Sequence, residues 1–586
     1  MKMKAVYLLG IILILTGVFF RFQNLRYNSE FEWDQENSVA YPAKSIVIDH
    51  KLPLIGAKTS VGNLYVGPLY SYLAAVFFFF FKMDPIAGAY LAATVSVITI
   101  ITGYLLMRKL GKEAAFFFTL LWSTSPLMIT YDRIPWNVNL LPLAVILTFF
   151  GLYFLLSSPK TINWILLGLG VFLGISSHYS FIFVILACII FFVINRKIIT
   201  RSICWPIFLS LLGVLPLLVF HFRHGNSFGN NLQQFTISSI NRFSYLGSSF
   251  IFAFTNILES QMAVVFGRES GWIKQIFSVI FIFFLIFFRH LKPIRNFLKV
   301  FLVISLVYLL GFTVYRGHAP SYYFIGLYPL ATFGLALVLA EINRRFTALS
   351  VVVVFIAFAN LIQAFPLVKK ISPTSLGTKQ DLLKTIKDKV GEDKTALIYD
   401  MELGNSFGFS YLSDYYRINL VSREETNSYF WISRPVGRFP GQPDYTFGDF
   451  ALGLPQTVER IYATKEVLLY GGLFKIRIPK NWTVVQCQGI DFDKYYLTAD
   501  NSASCDTLLK ESKGIVIDNL PDCPRSKFEP NQLIKSPSGE ELYKVSERQI
   551  AGIFEENRCV NFSDLDKNIN KELSSDLTAI VSTLKK

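Results

Sequence analysis

Apolar runs of about 18–22 residues recur from the N-terminus to about Pro366, the length that matches the hydrocarbon thickness of a bilayer. Short gaps between them hold the charges. Backbone placed in hydrocarbon must satisfy its own hydrogen bonds, which leaves helices as the economical solution. The expected fold is a polytopic α-helical membrane protein. After Pro366 the sequence turns mixed and polar, with ordinary globular character. Composition decides less than this distribution does: 52% hydrophobic residues is close to what soluble domains carry.

The formal charge is +15, which in a soluble protein would suggest nucleic acid. Here much of the basic excess sits in short gaps between apolar runs, where it sets topology and meets anionic headgroups. A nucleic-acid partner is not expected. The start, MKMK followed by AVYLLGIILILTGVFF, resembles a signal peptide but is followed by Arg21, Phe22 and Gln23 rather than small residues. It reads as an uncleaved first span.

Basic gaps at Arg108–Lys112, Asn195–Arg201, Arg289–Lys299 and Asn343–Arg345 are assigned to the cytoplasm, with the weaker gap Ser157–Asn163 beside them. Alternation then puts five regions outside: Tyr131–Asn137, the surroundings of His178–Tyr179, a long loop over about 222–271, Tyr315–Tyr322, and everything after Pro366. The expected spans are 5–21, 86–107, 113–130, 138–156, 162–177, 180–194, 203–221, 272–288, 298–314, 323–340 and 347–366. Residues 65–82 are apolar, yet a full span there breaks the parity. A helix dipping in from the outer face repairs it, and Gly67 and Pro68 suit an irregular entry. Twelve spans with one anchor misread is the alternative. The chain therefore divides into a membrane module, 1–366, and an extracytoplasmic α/β domain, 367–586, with the N-terminus cytoplasmic and the protein in the plasma membrane.

The outer side gathers the chemistry. The loop over about 22–64 carries FEWDQENSVAYPAKSI, with Asp34 and Glu36 flanking Gln35. If a helix begins at Asp34, then Val39, Ala40, Ala43 and Ile46–Val47 form its apolar face, and both acids lie at its N-terminus, where the dipole favours ionised carboxylates. An ionised carboxylate there can take a proton from a hydroxyl nucleophile. Helix capping plus a solvated acidic face is the bland reading of the same pair. Lys58, in LPLIGAKTSVGNLYVGPLYSYL, is a candidate phosphate contact or an ordinary loop lysine.

The turn YDRIPWNVNLLP holds Asp132, Arg133, Trp136 and Asn137. Ionisable groups at a span end are costly unless paired, so Asp132 paired with Arg133 in an aromatic interface is the structural reading of that turn. His178, Arg223, Arg316, His318 and Tyr322 sit at three further outer boundaries. Outer arginines run against the positive-inside bias, and guanidinium forks pair with phosphate oxygens, so these are candidate contacts for a phosphate-headed lipid as well as interface anchors.

Taken together, these segments resemble the GT-C superfamily of membrane glycosyltransferases, nearest in pattern to protein O-mannosyltransferases, lipid A aminoarabinose transferases and Rgt-type bacterial relatives. WDQEN resembles the first-loop acidic motif, LPLIGAKTS…GNLYVGPLYSYL the segment after it, and SPLMITYDRIPWNVNLLP the second outer turn. The resemblance covers about 1–366. It implies a polyprenyl-phosphate sugar entering from the membrane, Asp34 as base on an acceptor hydroxyl, and transfer with inversion. Many relatives carry adjacent acids where Gln35 intervenes here, which leaves the role of Glu36 open. No metal-ligand cluster with firm spacing appears, so no obligatory cofactor is expected, with a divalent metal left open. The acceptor is a glycan, lipid or protein. A lipid-linked-oligosaccharide flippase and a non-catalytic scaffold are the competing readings. A flippase would place polar groups mid-span, whereas the polar groups here gather on one face.

In the tail, Asp381–Val390 and Gly408–Tyr416 read as helices, Thr395–Tyr399 as a strand, and Val467–Leu469 and Phe474–Ile478 as strands around Gly471–Gly472. Asp491 and Asp493 read as loop acids. Cys487, Cys505, Cys523 and Cys559 permit two disulfides in three pairings, with zinc disfavoured by the wide spacings. Cys188 and Cys204 lie in apolar segments and read as packing residues.

Overall fold

Each expected span falls on helical structure, with 113–130 divided between two helices. The computed structural model describes residues 3–59, 64–225, 227–239, 246–267, 271–315, 319–402, 406–426, 428–439, 442–462, 464–469, 474–479, 483–487, 494–498, 515–520, 533–535, 541–546, 549–555 and 558–564. The chain forms two compact units. The first comprises Met1–Gly391 with Leu403–Ile418, and the second comprises Glu392–Glu402 with Asn419–Lys586.

The helical unit begins with α1 (Met3–Phe22). A helical stretch α2 follows, running from Trp33–Gln35 through a π-helical Glu36–Ala40 into Tyr41–Val47. Its start is set by a capping box in which the Gln35 side chain accepts from the Glu32 amide at 2.9 Å. The π turn has a sequence cause. Pro42 has no N–H to give the Ser38 carbonyl and its ring crowds that carbonyl, and the wider turn accommodates both. Val39, Ala40 and Ala43 are buried, as the expected apolar face requires.

Helix α3 (Leu69–Phe80) has 12 residues. At 1.5 Å per residue it spans about 18 Å, short of the roughly 30 Å hydrocarbon core. Then come α4 (Ile86–Arg108), α5 (Lys112–Thr124), α6 (Pro126–Tyr131), α7 (Leu140–Leu155), α8 (Thr161–Ile175), α9 (Phe181–Ile194) and α10 (Cys204–Arg223). The break between α5 and α6 lies at Ser125, which caps α6 by accepting from the Met128 amide, with Pro126 in the first helical position.

The region read as a long outer loop is not irregular. It contains α11 (Ser227–Ser239) and α12 (Leu246–Phe266), and α12 is long and apolar enough to cross a membrane. The unit continues with α13 (Gly271–Phe287), α14 (Lys292–Val314), α15 (Leu327–Arg345), α16 (Thr347–Lys369), α17 (Leu376–Val390) and α18 (Phe409–Tyr415). Among the described residues, 7 helices meet the length and composition needed for a span. Phe118 of α5, Phe149 and Phe150 of α7, Phe297 of α14 and Phe333 of α15 are buried against one another, with Phe118 and Phe333 centroids 4.8 Å apart. These aromatics form the central core of the bundle.

The second unit is mostly antiparallel sheet. A parallel pair, β1 (Ala396–Met401) and β2 (Tyr429–Arg434), is extended by β3 (Tyr445–Phe447) and β4 (Phe450–Gly453) in the order β1-β2-β4-β3. β5 (Thr464–Leu469) and β6 (Phe474–Pro479) pair antiparallel, as the expected hairpin requires, with Gly471–Gly472 outside the described residues. A third, wholly antiparallel sheet holds β7 (Thr483–Cys487), β8 (Lys494–Thr498), β9 (Ile515–Leu520), β10 (Leu533–Lys535), β11 (Glu541–Ser546), β12 (Gln549–Glu555) and β13 (Arg558–Asp564). Its order is β10-β11-β12-β13-β9-β8-β7. Asp491 and Asp493 lie outside the described residues.

Candidate functional site

Four connections of the helical unit converge on one cavity of about 490 Å³. They are α2 with the hairpin after it, the turn before α7, the turn between α8 and α9, and the segment between α14 and α15. Asp34, Lys58, Asn137, His178 and Tyr322 all line it, so the structure brings together five of the side chains singled out in the sequence.

Asp34 sits in the first turn of α2 with an open surface on the cavity. Among the described residues its carboxylate has no hydrogen-bond or ion-pair partner in this protein. Protein atoms crowd its other sides, and that desolvation holds its carboxyl above the usual carboxylate range. Lys58 lies on a small hairpin fixed by bonds from the Gly56 amide to the Val66 carbonyl at 2.8 Å and from the Val66 amide to the Ala57 carbonyl at 3.0 Å. Gly56 is required there, because a Cβ would stand 2.4 Å from the Gly67 carbonyl oxygen. The Lys58 ammonium is exposed and meets no carboxylate among the described residues.

His178 accepts at Nδ1 from the Ser180 amide at 3.1 Å, which leaves Nε2 as the protonated nitrogen of the neutral ring. Burial pushes its pKa down to about 4, so the ring is a neutral N–H donor at neutral pH. The rings of Tyr322 and Tyr323 meet it edge-on, with centroids at 5.8 and 4.9 Å. Trp136 packs on Tyr322 at 5.3 Å, and the Asn137 amide donates to the Ser177 carbonyl. The Tyr179 hydroxyl donates to the Tyr65 carbonyl at 2.8 Å, tying the α8–α9 turn to the Lys58 hairpin. The cavity thus has a wall of aromatic faces with an acid, a cation and an N–H donor set into it.

The other candidates go elsewhere. Glu36 is buried and accepts from the amides of Gly408 and Tyr411, each at 2.8 Å, so it does not line the cavity with Asp34. The π turn separates the two acids: one faces the cavity and the other the interior. Asp132 does not pair with Arg133. Its carboxylate takes the Arg21 guanidinium at 2.8 Å and the Ser96 hydroxyl at 2.5 Å, because Arg21 of α1 is fully buried and needs a counter-charge. Arg133 is buried too and donates to the Phe20 carbonyl at 2.7 Å. Neither Asp132 nor Arg133 lines the cavity. Arg223 ends α10 exposed and also lies off the cavity wall. Arg316 and His318 lie outside the described residues.

The sequence reading missed the aromatic Phe183 and Phe312 among other lining residues, and it missed Leu232, Phe235 and Thr236 of α11. Their spacing at i, i+3 and i+4 was the available signal, since it puts them on one helix face. Among the described residues no group of three His, Cys, Asp or Glu side chains converges as a metal site would. Cys188 and Cys204 are free thiols.

No curated protein matches the chain. Among solved structures it is similar to ArnT from Cupriavidus metallidurans bound to undecaprenyl phosphate, at 10% identity and TM-score 0.47, over 78% of this chain and 98% of that one. The apo state of the same protein gives 11% identity and TM-score 0.42 over the same shares. The arabinofuranosyltransferase AftD from Mycobacteria gives 12% identity and TM-score 0.35, over 80% of this chain and 38% of that one. Residues 65–220 match the family described as dolichyl-phosphate-mannose-protein mannosyltransferase, and the matched segment supplies Trp136, Asn137, His178 and Tyr179 to the cavity wall. The match covers residues 65–220 alone, a segment similar to membrane glycosyltransferases of the GT-C superfamily.

Proposed function

We propose that the protein is an inverting glycosyltransferase that moves a sugar from a polyprenyl-phosphate donor to an acceptor hydroxyl at the extracytoplasmic face. One observation carries this reading. Asp34 presents a desolvated carboxylate, without a partner among the described residues, to a cavity whose wall is supplied in part by the family-matched segment.

The chemistry follows from the groups present. The acceptor oxygen attacks the anomeric carbon as the bond from that carbon to the phosphate oxygen breaks. Asp34 takes the hydroxyl proton, and the lipid phosphate leaves with the electron pair. Lys58 and the Nε2–H of His178 offer a cation and a donor for the charge that develops on that phosphate. The aromatic faces of Trp136, Tyr322 and Tyr323 suit the apolar face of a sugar ring or the first isoprene units. The acceptor is an extracytoplasmic glycan, lipid or protein, and membrane lipids surround the helices. The N-terminus is assigned to the cytoplasm and residues 367–586 to the outside on the charge pattern of the loops.

The test is a transfer assay in nanodiscs with a panel of radiolabelled polyprenyl-phosphate sugars and a membrane extract as acceptor. Wild-type protein is expected to release label from one donor, and Asp34→Asn to release none. Equal release by the two proteins would remove Asp34 as the base.

A further inference from the structure

Residues 406–418 leave the sheet-forming part of the chain and pack into the helical unit. There they meet the helix that carries Asp34. Glu36 accepts from the Gly408 and Tyr411 amides at 2.8 Å each, so its carboxyl serves the N-terminal end of α18. The Tyr411 ring meets Phe31, Tyr41 and Phe78 at 5.9, 5.4 and 6.2 Å, and its hydroxyl donates to the Met83 carbonyl at 2.9 Å. The fully buried Lys379 donates to the carbonyls of Phe31 at 2.9 Å and Phe407 at 2.7 Å, and pairs with Glu32 at 3.0 Å. The Phe407 ring stands edge-on to Trp33 at 6.5 Å. Contacts thus reach α2 on both sides of Asp34, at Trp33 and at Glu36. The exposed pair Lys44–Asp414, at 3.0 Å, adds little in water.

We infer that residues 406–418 are a strap that fixes the orientation of the Asp34 helix, with Glu36 as its positioning residue. The inference rests on the reading of Asp34 as the base. A carboxylate that must meet one acceptor hydroxyl cannot ride on a helix free to roll, and a helix with a π turn lacks the regular ladder that would stiffen it alone. Glu36 supplies two buried acceptors for two amides that would otherwise be orphaned. Gly408 fits the other side of the contact: its φ is +91°, and a Cβ there would stand 2.3 Å from the Phe31 carbonyl oxygen.

The test uses the full chain with Glu36→Gln, Gly408→Ala and, as a control, Asp414→Asn. The glutamine keeps the size but offers one acceptor oxygen for two amides. Hydrogen exchange of peptides covering residues 31–47 is read first, because it needs no substrate. Exchange is expected to quicken about tenfold in Glu36→Gln and Gly408→Ala, with α7 and α15 peptides and the Asp414→Asn protein unchanged. Unchanged exchange in both variants overturns the strap. Transfer is read second, per folded protein. A kcat lowered about tenfold with donor KM held supports positioning. Quickened exchange with wild-type kcat overturns it and leaves Glu36 as fold stabiliser only. Should wild-type protein transfer no sugar from any donor, the transferase reading falls, and exchange alone still decides whether the strap exists.

Discussion

Two carboxylates separated by one residue take opposite fates, and the difference lies in what each oxygen meets. Glu36 meets two amides and is buried, whereas Asp34 meets an open cavity. Desolvation by the protein atoms around it holds the Asp34 carboxyl above its ordinary range, which makes it a better base than a fully solvated aspartate once ionised. The sign of its pH dependence follows. A base works only when deprotonated, so kcat/KM is expected to fall as pH drops through the raised value, with a midpoint above the ordinary aspartate value of about 3.9. His178, pushed down to about 4, stays neutral from pH 5 to 8 and adds no limb of its own in that window. A pH–rate profile with a midpoint at or below the ordinary value would contradict the desolvated setting of Asp34. Asp34→Asn is expected to lower kcat by at least about 100-fold with the protein still folded in the membrane, and retention within tenfold would remove it as the base. His178→Phe, which keeps the ring but not the Nε2–H, is expected to lose about tenfold in transfer while Asp34 keeps its pH limb.

At the level of elements, a buried ion pair joins the start of the membrane unit. Arg21 of α1 donates to Asp132 after α6 and to Ser96 of α4, and also reaches the Trp122 and Ser123 carbonyls at the end of α5. Removing one partner leaves a buried charge unpaired, at a cost of about 3–5 kcal/mol. Asp132→Asn is therefore expected to lower the unfolding temperature in detergent strongly, and Arg21→Met with Asp132→Leu to lower it less than either single change. If the double change were the worse, the pair would not be the source of the loss. None of this was legible in the sequence. Arg21 and Asp132 are 111 residues apart, and the neighbouring Arg133 was the obvious local partner. The helices themselves were legible, because uninterrupted apolar runs fix both length and type. Helix α12 escaped because Asn256, Glu259, Ser260 and Gln261 interrupt its apolar run. Most of their polar atoms find partners locally or on α13: the Gln261 amide donates to the Ile257 carbonyl at 3.0 Å, and Gln275 donates to Glu259 at 2.9 Å, while the buried Gln261 Oε1 has no partner among the described residues. The five cavity residues foreseen from sequence all lie in the connections between apolar runs, where their polar groups stand out. Glu36 lies there too, and only its partners from far along the chain reveal its part.

For the whole molecule, the change of composition at Pro366 marks where the apolar runs end, not where packing changes. Helix α17 and residues 406–418 still belong with the membrane helices. The sheet-rich unit can be argued through its cysteines. Cys487 ends β7, opposite Lys494 of β8, and Cys559 lies in β13, opposite Leu520 of β9. Both strands belong to one sheet, in the order β13-β9-β8-β7. Three strand spacings of about 4.8 Å separate them by roughly 14 Å, twice the roughly 7 Å limit between Cα atoms for a disulfide. That removes the pairing of Cys487 with Cys559 from the three combinations. Cys505 and Cys523 lie outside the described residues, and both combinations that avoid Cys487–Cys559 stand. If residues 367–586 lie outside the cytoplasm, as the loop charges imply, the four thiols are expected to resist alkylation in the native protein. Non-reducing peptide mapping is expected to link Cys487 and Cys559 each to Cys505 or Cys523 and not to each other. A fragment linking Cys487 to Cys559 would contradict the strand order, and four freely labelled thiols would contradict both the disulfides and the exported placement of the domain.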